Sequence, residues 1–239
     1  MYRFPQLALS KSIADNIFMA NTSINEISKS LETLYLDGKF EEAVDFILKN
    51  KPVLSDIDFH YNLGVVYTKL GDFGPGRYHF ELAMKKGYIG SDLLNNLNVI
   101  KSHIQVADIS SSDQLFDQVL NAFSSIPVGY SLSITLVLIT TILILYRVKL
   151  MESKLTMGLC AFLALTPVVT HLSMVSGKSF AVSMKELKIY EGPSAIYDVK
   201  QTIPGGSKFI TGRTDGGWFY IDYPVEIAGW VKKEDIGLL

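Results

Sequence analysis

From Gln118 to Tyr146 the chain carries no charged residue, and within that stretch Ile126–Tyr146 is an apolar run of 21 residues, IPVGYSLSITLVLITTILILY. A second uncharged run, Leu155–Gly177, is 23 residues long. A helix of about 20 apolar residues crosses the hydrocarbon core of a bilayer. Two such runs in so small a chain predict transmembrane helices at 126–146 and 155–177, in preference to buried helices of a large soluble core. The connection between them, RVKLMESK at 147–154, is short enough to predict an antiparallel hairpin. It carries Arg147, Lys149 and Lys154 against Glu152, a net +2, and the nearest charges beyond the other end of the first run are Asp117, Asp113 and Asp108. Short loops rich in Lys and Arg stay cytoplasmic, so the asymmetry predicts a cytoplasmic turn with both flanking portions on the outer side.

An exported N-terminal portion calls for a signal peptide, and MYRFPQLALSKSIADNIFMA has no apolar run of the usual 7–15 residues. Three readings stay open: a start further upstream, export of the N-terminal portion by the first span, or an inverted topology that keeps both flanking portions in the cytoplasm.

Before the spans the pattern is helical and it repeats. DGKFEEAVDFIL (37–48) aligns with LGDFGPGRYHFEL (70–82) at a shift of 33 residues, which places Gly38 on Gly71, Phe40 on Phe73, Ala43 on Gly76 and Ile47 on Phe80. Gly64 and Gly76 are small where two helices cross closely, and Tyr67 and Phe80 fill the space around them. Gly71 and Asp72 break the helix at the turn, and Pro75 falls in a first turn, where the missing N–H costs little. Leu93, Leu94, Leu97, Ile100 and Ile104 lie at helical spacing and predict a terminal helix over 91–106. About five helices are expected over 13–106, with 107–125 as a linker.

After Gly177 the period changes. Short runs (LKIY, SKFIT, GWFYIDY, IAGWV) alternate with the turns EGPS, PGG and TDGG, which predicts several short strands over 180–239. In WFYIDY the alternation puts Phe219, Ile221 and Tyr223 on one face and Trp218, Tyr220 and Asp222 on the other. Asp215-Gly216 is a hairpin-turn signal.

Composition narrows the chemistry. Hydrophobic residues make up 48% and charged residues 19%, and the net charge of −2 gives no whole-chain argument for nucleic-acid binding. The segment 1–125 has a net charge of −4, which argues against acidic partners there. A single cysteine, Cys160, rules out an intramolecular disulfide framework and a cysteine-based zinc site. The histidines His60, His79, His103 and His171 show no metal-ligand spacing. No G-x-S-x-G, Walker A or H-E-x-x-H motif occurs, so no catalytic activity, cofactor or metal is expected. Cys160 reads as a packing residue. His171 is an ionisable group within the second span and therefore a functional suspect, although it is close enough to the exit to sit at the interface.

The 33-residue period with Leu63-Gly64, Tyr67, Gly71, Gly76, Phe80 and Ala83 resembles the tetratricopeptide (TPR) repeat, with His60 where that family usually has Trp and Gly76 where it has Ala. The resemblance implies a short α-helical TPR solenoid whose groove presents Asn62, Val65, Lys69, Asn95, Asn98 and Lys101 to a protein partner; ordinary solvated helix faces are the alternative. Tyr190-Glu191-Gly192-Pro193-Ser194, Gly205-Gly206, Gly217-Trp218 and Gly229-Trp230-Val231 resemble the bacterial SH3 (SH3b) domain over 180–239. Its departures are Tyr190 for a common Arg, and Pro224 in the hairpin before the last motif. That resemblance implies a small SH3-like β barrel binding a peptide or peptidoglycan, with Tyr190, Tyr197, Trp218 and Tyr220 as groove candidates unless they simply complete a small core; Trp230 reads as core.

The whole order, a multidomain α + β chain of TPR repeats, two-helix transmembrane hairpin and SH3b domain, resembles the BatE-like proteins of the bacterial aerotolerance (Bat) operon family. This implies a non-catalytic membrane scaffold linked to oxidative or envelope stress. Its partners by resemblance are von Willebrand factor A-domain membrane proteins and a MoxR-type ATPase system, at the bacterial inner membrane with both soluble portions on the periplasmic side. A peptidoglycan tether or sensor acting through SH3b is the alternative, and a cytoplasmic regulator of inverted topology a further one.

Overall fold

Among the described residues the long helices all precede Ser176 and the strands all follow it. The computed structural model describes residues 14–104, 108–111, 113–150, 153–176 and 178–239. The N-terminal stretch examined for a signal peptide as far as residue 13, the end of the expected terminal helix at 105–106, Glu152 of the basic turn and Gly177 lie outside the described residues. The architecture is mixed α + β and divides into two compact units.

The first unit comprises the chain up to Val106 together with Val182–Leu187 and Ile203–Ser207. Its described helices are α1 (Ala14–Leu36), α2 (Phe40–Lys49), α3 (Asp56–Leu70), α4 (Phe73–Lys85) and α5 (Ser91–His103). Each packs on the next, and α3 also touches α5. Ser55 caps α3 by accepting the Asp58 N–H at 3.0 Å. Gly71 ends α3 in the left-handed region at φ 81°, and its N–H donates back to the last turn. The close crossing of α3 and α4 depends on Gly64, because a Cβ there would stand 2.6 Å from the buried Phe80 ring. Two apolar clusters follow, one around Leu31, Ala43, Ile47, Phe59 and Leu63, the other around Tyr61, Phe80, Leu93, Leu97 and Ile100.

Arg77 on α4 is fully buried. Its Nη1 donates to the Gly206 carbonyl at 2.7 Å, and its Nε stands 3.6 Å from the Glu81 carboxylate. Gly74 lies directly against the Met184 backbone.

The second unit comprises Ala107–Ala181, Lys188–Thr202 and Lys208–Leu239. Its helices are α6 (Leu115–Ser125), α7 (Val128–Arg147), α8 (Lys154–Ala164) and α9 (Thr166–Val175). The expected linker 107–125 therefore contains a helix of 11 residues. Two helical stretches, Val128–Arg147 and Lys154–Val175, are long and apolar enough to cross a membrane. The second is α8 and α9 in line, meeting at Leu165 just ahead of Pro167; α7 packs against both. Most of their surface is uncovered, including Leu136, which is 66% exposed.

The strands are β1 (Ser179–Ser183), β2 (Leu187–Tyr190), β3 (Val199–Ile203), β4 (Lys208–Asp215), β5 (Trp218–Tyr223), β6 (Gly229–Lys232) and β7 (Ile236–Leu238). They form an antiparallel sheet in the order β3-β2-β6-β5-β4-β1-β7. The order is open, with β3 and β7 at its ends, so the expected barrel is seen as an unclosed seven-stranded sheet. The β4–β5 hairpin turns through Gly216 and Gly217, both at positive φ, between the paired Asp215 and Trp218. Alternation works along β6, where Gly229 and Val231 are buried and Trp230 and Lys232 face outward.

A candidate binding face on the sheet

The outward-facing residues of β2, β5 and β6 gather the aromatics. Tyr220 and Trp230 are cross-strand partners, as are Trp218 and Lys232, and Tyr190 pairs with Trp230 from the other side. Neighbouring side chains on one face of a sheet lie within contact distance. The Tyr190 ring accordingly meets Trp218 edge-on at 5.1 Å between centroids, and Tyr220 meets Trp230 edge-on at 5.3 Å. Two cations join them. The Arg213 guanidinium lies 4.2 Å from the Tyr220 centroid and 5.9 Å from that of Trp230, and Lys232 Nζ lies 6.0 Å from that of Trp218. Beside Trp218 a pocket is lined by Gly216, Gly217, Lys232, Lys233 and Glu234.

All four rings are half-buried, so part of each is open to solvent while the rest is packed. Such a surface can stack on prolyl, aromatic or apolar groups of an extended chain, and Arg213 and Lys232 can pair with its carboxylates. It holds no nucleophile–base pair.

Of the sheet residues expected from sequence, Tyr190, Trp218 and Tyr220 come together. Tyr197 does not join them: it is 52% exposed and its ring lies against Gly192. Trp230, expected in the core, belongs to the outward face, and the core position falls to Val231. Arg213 of β4 was missed, because a lone Arg carries no signal of the ring above which it folds.

In the helical block, Val65 is packed into the second apolar cluster, and Lys69 Nζ lies 5.7 Å from the Tyr35 ring centroid. Asn62 is half-buried on α3, Asn95 and Asn98 are exposed on α5, and Lys101 is half-buried.

The block also holds a pair that sequence spacing concealed. His60 on α3 and His79 on α4 share a hydrogen bond between their Nδ1 atoms at 2.9 Å, and Tyr67 stacks on His79 with its plane nearly parallel. Burial pushes His79 down to about 4, helped by His60 and Lys51. Burial also lowers His60, against the pull of Asp56. Asp92 accepts the hydroxyls of Tyr61 at 2.5 Å and Tyr88 at 2.8 Å. Burial acts to raise its carboxyl, but these hydrogen bonds prevail and hold it low.

Between the long apolar helices His171 is buried; its Nδ1 is 2.9 Å from Ser131 Oγ, and Phe123 meets its ring edge-on. Cys160 is a free, half-buried thiol on α8. Among the described residues no group of three or more His, Cys, Asp or Glu side chains is placed to hold a metal ion.

No known protein family, curated protein or solved structure matches this chain.

Proposed function

We propose that this protein is a non-catalytic, membrane-anchored interaction scaffold. Its paired apolar helices cross the bilayer, its helical repeats recruit a protein partner, and the aromatic face of its sheet binds an extended peptide. The observation that carries the binding role is the cluster of Tyr190, Trp218, Tyr220 and Trp230 with Arg213 and Lys232 over it. Four large rings left half-open on one side of a small sheet cost solvation, and a ligand that covers them recovers it. The anchoring role is supported by two helices of sufficient length whose apolar side chains are mostly uncovered.

The repeat period, the GPS and GWV motifs and their order around the hairpin support the TPR, SH3b and BatE-like readings. On those readings the chain sits in a bacterial inner membrane with both soluble portions outside the cytoplasm and serves envelope or oxidative stress. A photo-crosslinking amino acid at Asp215, the cross-strand partner of Trp218, tests the binding role in cells. Capture of a polypeptide that is lost in Trp218→Ala supports it. Capture of peptidoglycan fragments alone makes the protein a wall tether, and equal capture with and without Trp218 refutes binding at this face.

A further inference from the structure

Helix α6 is built with its polarity reversed. The side chains it turns inward include Asp117, Asn121 and Ser124 beside the apolar Leu120 and the half-buried Phe123. The reason is Lys208 of β4, which is fully buried and whose Nζ donates to Asn121 Oδ1 at 2.9 Å, Ser124 Oγ at 3.1 Å and Ser125 Oγ at 3.3 Å. A cation at the last turn of a helix is also favoured by the helix dipole. The polar groups of α6 are thus consumed by the interior.

What remains outside is mainly apolar, with the exposed Gln118 at its edge. Leu115, Val119, Ala122 and Ile126 recur at helical spacing along one uncharged stripe, with Leu115 78% exposed, and Phe116 lies beside it. Only Ile126 and Pro127 separate α6 from α7, whose large exposed side chains are mainly Leu, Ile and Val. Tyr130 and Tyr146 are exposed near the two ends of α7, about 24 Å apart along a straight helix, where interfacial aromatics are enriched. The stripe therefore continues the uncovered surface of α7 around the bend at Pro127.

We propose that α6 is an interfacial helix: its Leu115–Val119–Ala122–Ile126 stripe lies on the lipid of the bilayer that α7 enters, at the boundary of headgroups and acyl chains. The proposal rests on the membrane reading above. Lys208 is then the positioning residue, since it draws the polar side of α6 inward and fixes which face the lipid meets.

The test uses the full chain with Cys160→Ala, reconstituted in nanodiscs of zwitterionic and anionic phospholipid, with single nitroxides at Leu115→Cys, Val119→Cys, Leu136→Cys on α7 and Lys39→Cys in the helical block. Collision with oxygen, which partitions into lipid, is compared with collision with a water-soluble nickel chelate. The expected oxygen-to-nickel ratio at 115 and 119 exceeds that at 39 by about threefold or more, and lies below that at 136 as suits a shallower site. A water-like ratio at 115 and 119 beside a lipid-like ratio at 136 overturns the interfacial helix and leaves the membrane anchor standing. A water-like ratio at 136 overturns both. Exclusion of both agents from 115 and 119, with an immobilised spectrum, means that protein covers the stripe and also overturns the proposal.

Discussion

Arg77→Leu is the most informative single substitution in the helical unit. Arg77 is fully buried and ties α4 to the Gly206 carbonyl at 2.7 Å while standing 3.6 Å from Glu81, itself almost fully buried. Removing one partner of a buried ion pair costs about 3–5 kcal/mol, because the other charge stays behind uncompensated. Lys85, one turn further along α4, interacts favourably with Glu81 and offsets part of that cost. The freed carbonyl of Gly206 adds about 1–3 kcal/mol if it stays dry, though such terms overlap and do not sum. An overall loss of about 3–4 kcal/mol is therefore expected for Arg77→Leu. Arg77→Leu combined with Glu81→Leu should recover most of it, since two apolar side chains leave no charge stranded. Denaturant unfolding of the full chain in detergent, followed by circular dichroism at 222 nm, measures the stability. Hydrogen exchange over α4 and over Ile203–Ser207 reports whether the two loosen together. A loss under about 1 kcal/mol, or faster exchange in α4 with none at 203–207, refutes the argument.

Acid should weaken the same unit. His79 is neutral in the fold down to about 4 against 6.5 for the free side chain, so the folded state disfavours its protonation. The resulting stability is complete above pH 6.5 and lost as the pH falls through about 4, by about 3 kcal/mol in total; a pH series of melts shows it, and His79→Phe flattens the dependence. Gly64→Ala should destabilise by about 1–2 kcal/mol, since overpacking against the buried Phe80 ring outweighs the gain in helix propensity; Phe80→Leu in the same chain relieves it, measured by the same unfolding. Arg213→Met removes the cation over Tyr220 and Trp230 at a cost of about 0.5–1 kcal/mol in stability, and reduces crosslinking at the sheet face if the ligand is anionic.

The parts of this fold that sequence disclosed are those governed by local periodicity. The hairpin helices stood out because more than 20 residues pass without a charge, and β5 because WFYIDY alternates strictly. Gly76 and Phe80 are legible because a small residue and a large one recur there one period earlier, as Ala43 and Ile47. What escaped depends on contacts between distant residues. Helix α6 was taken for a linker since its polar side chains point inward to Lys208, 83–87 residues away, which inverts the pattern that usually marks a helix. The His60–His79 pair spans 19 residues across two helices, and no ligand spacing announces it. Arg77 would ordinarily be read as solvated, and only the placement of Gly206 explains its burial. Trp230 and Val231 are both apolar, and the pleat lets only one of two neighbours face inward; here it is Val231.

The proposed scaffold requires the hairpin to lie in a bilayer with its basic turn on the cytoplasmic side. In Cys160→Ala cells, a membrane-impermeant maleimide is applied to chains carrying either Leu150→Cys in the turn or Thr214→Cys on the sheet. Labelling of Cys at 214 in intact cells, and at 150 only after permeabilisation, is the predicted result. Labelling at 150 in intact cells, or recovery of the chain in the soluble fraction without detergent, would contradict it.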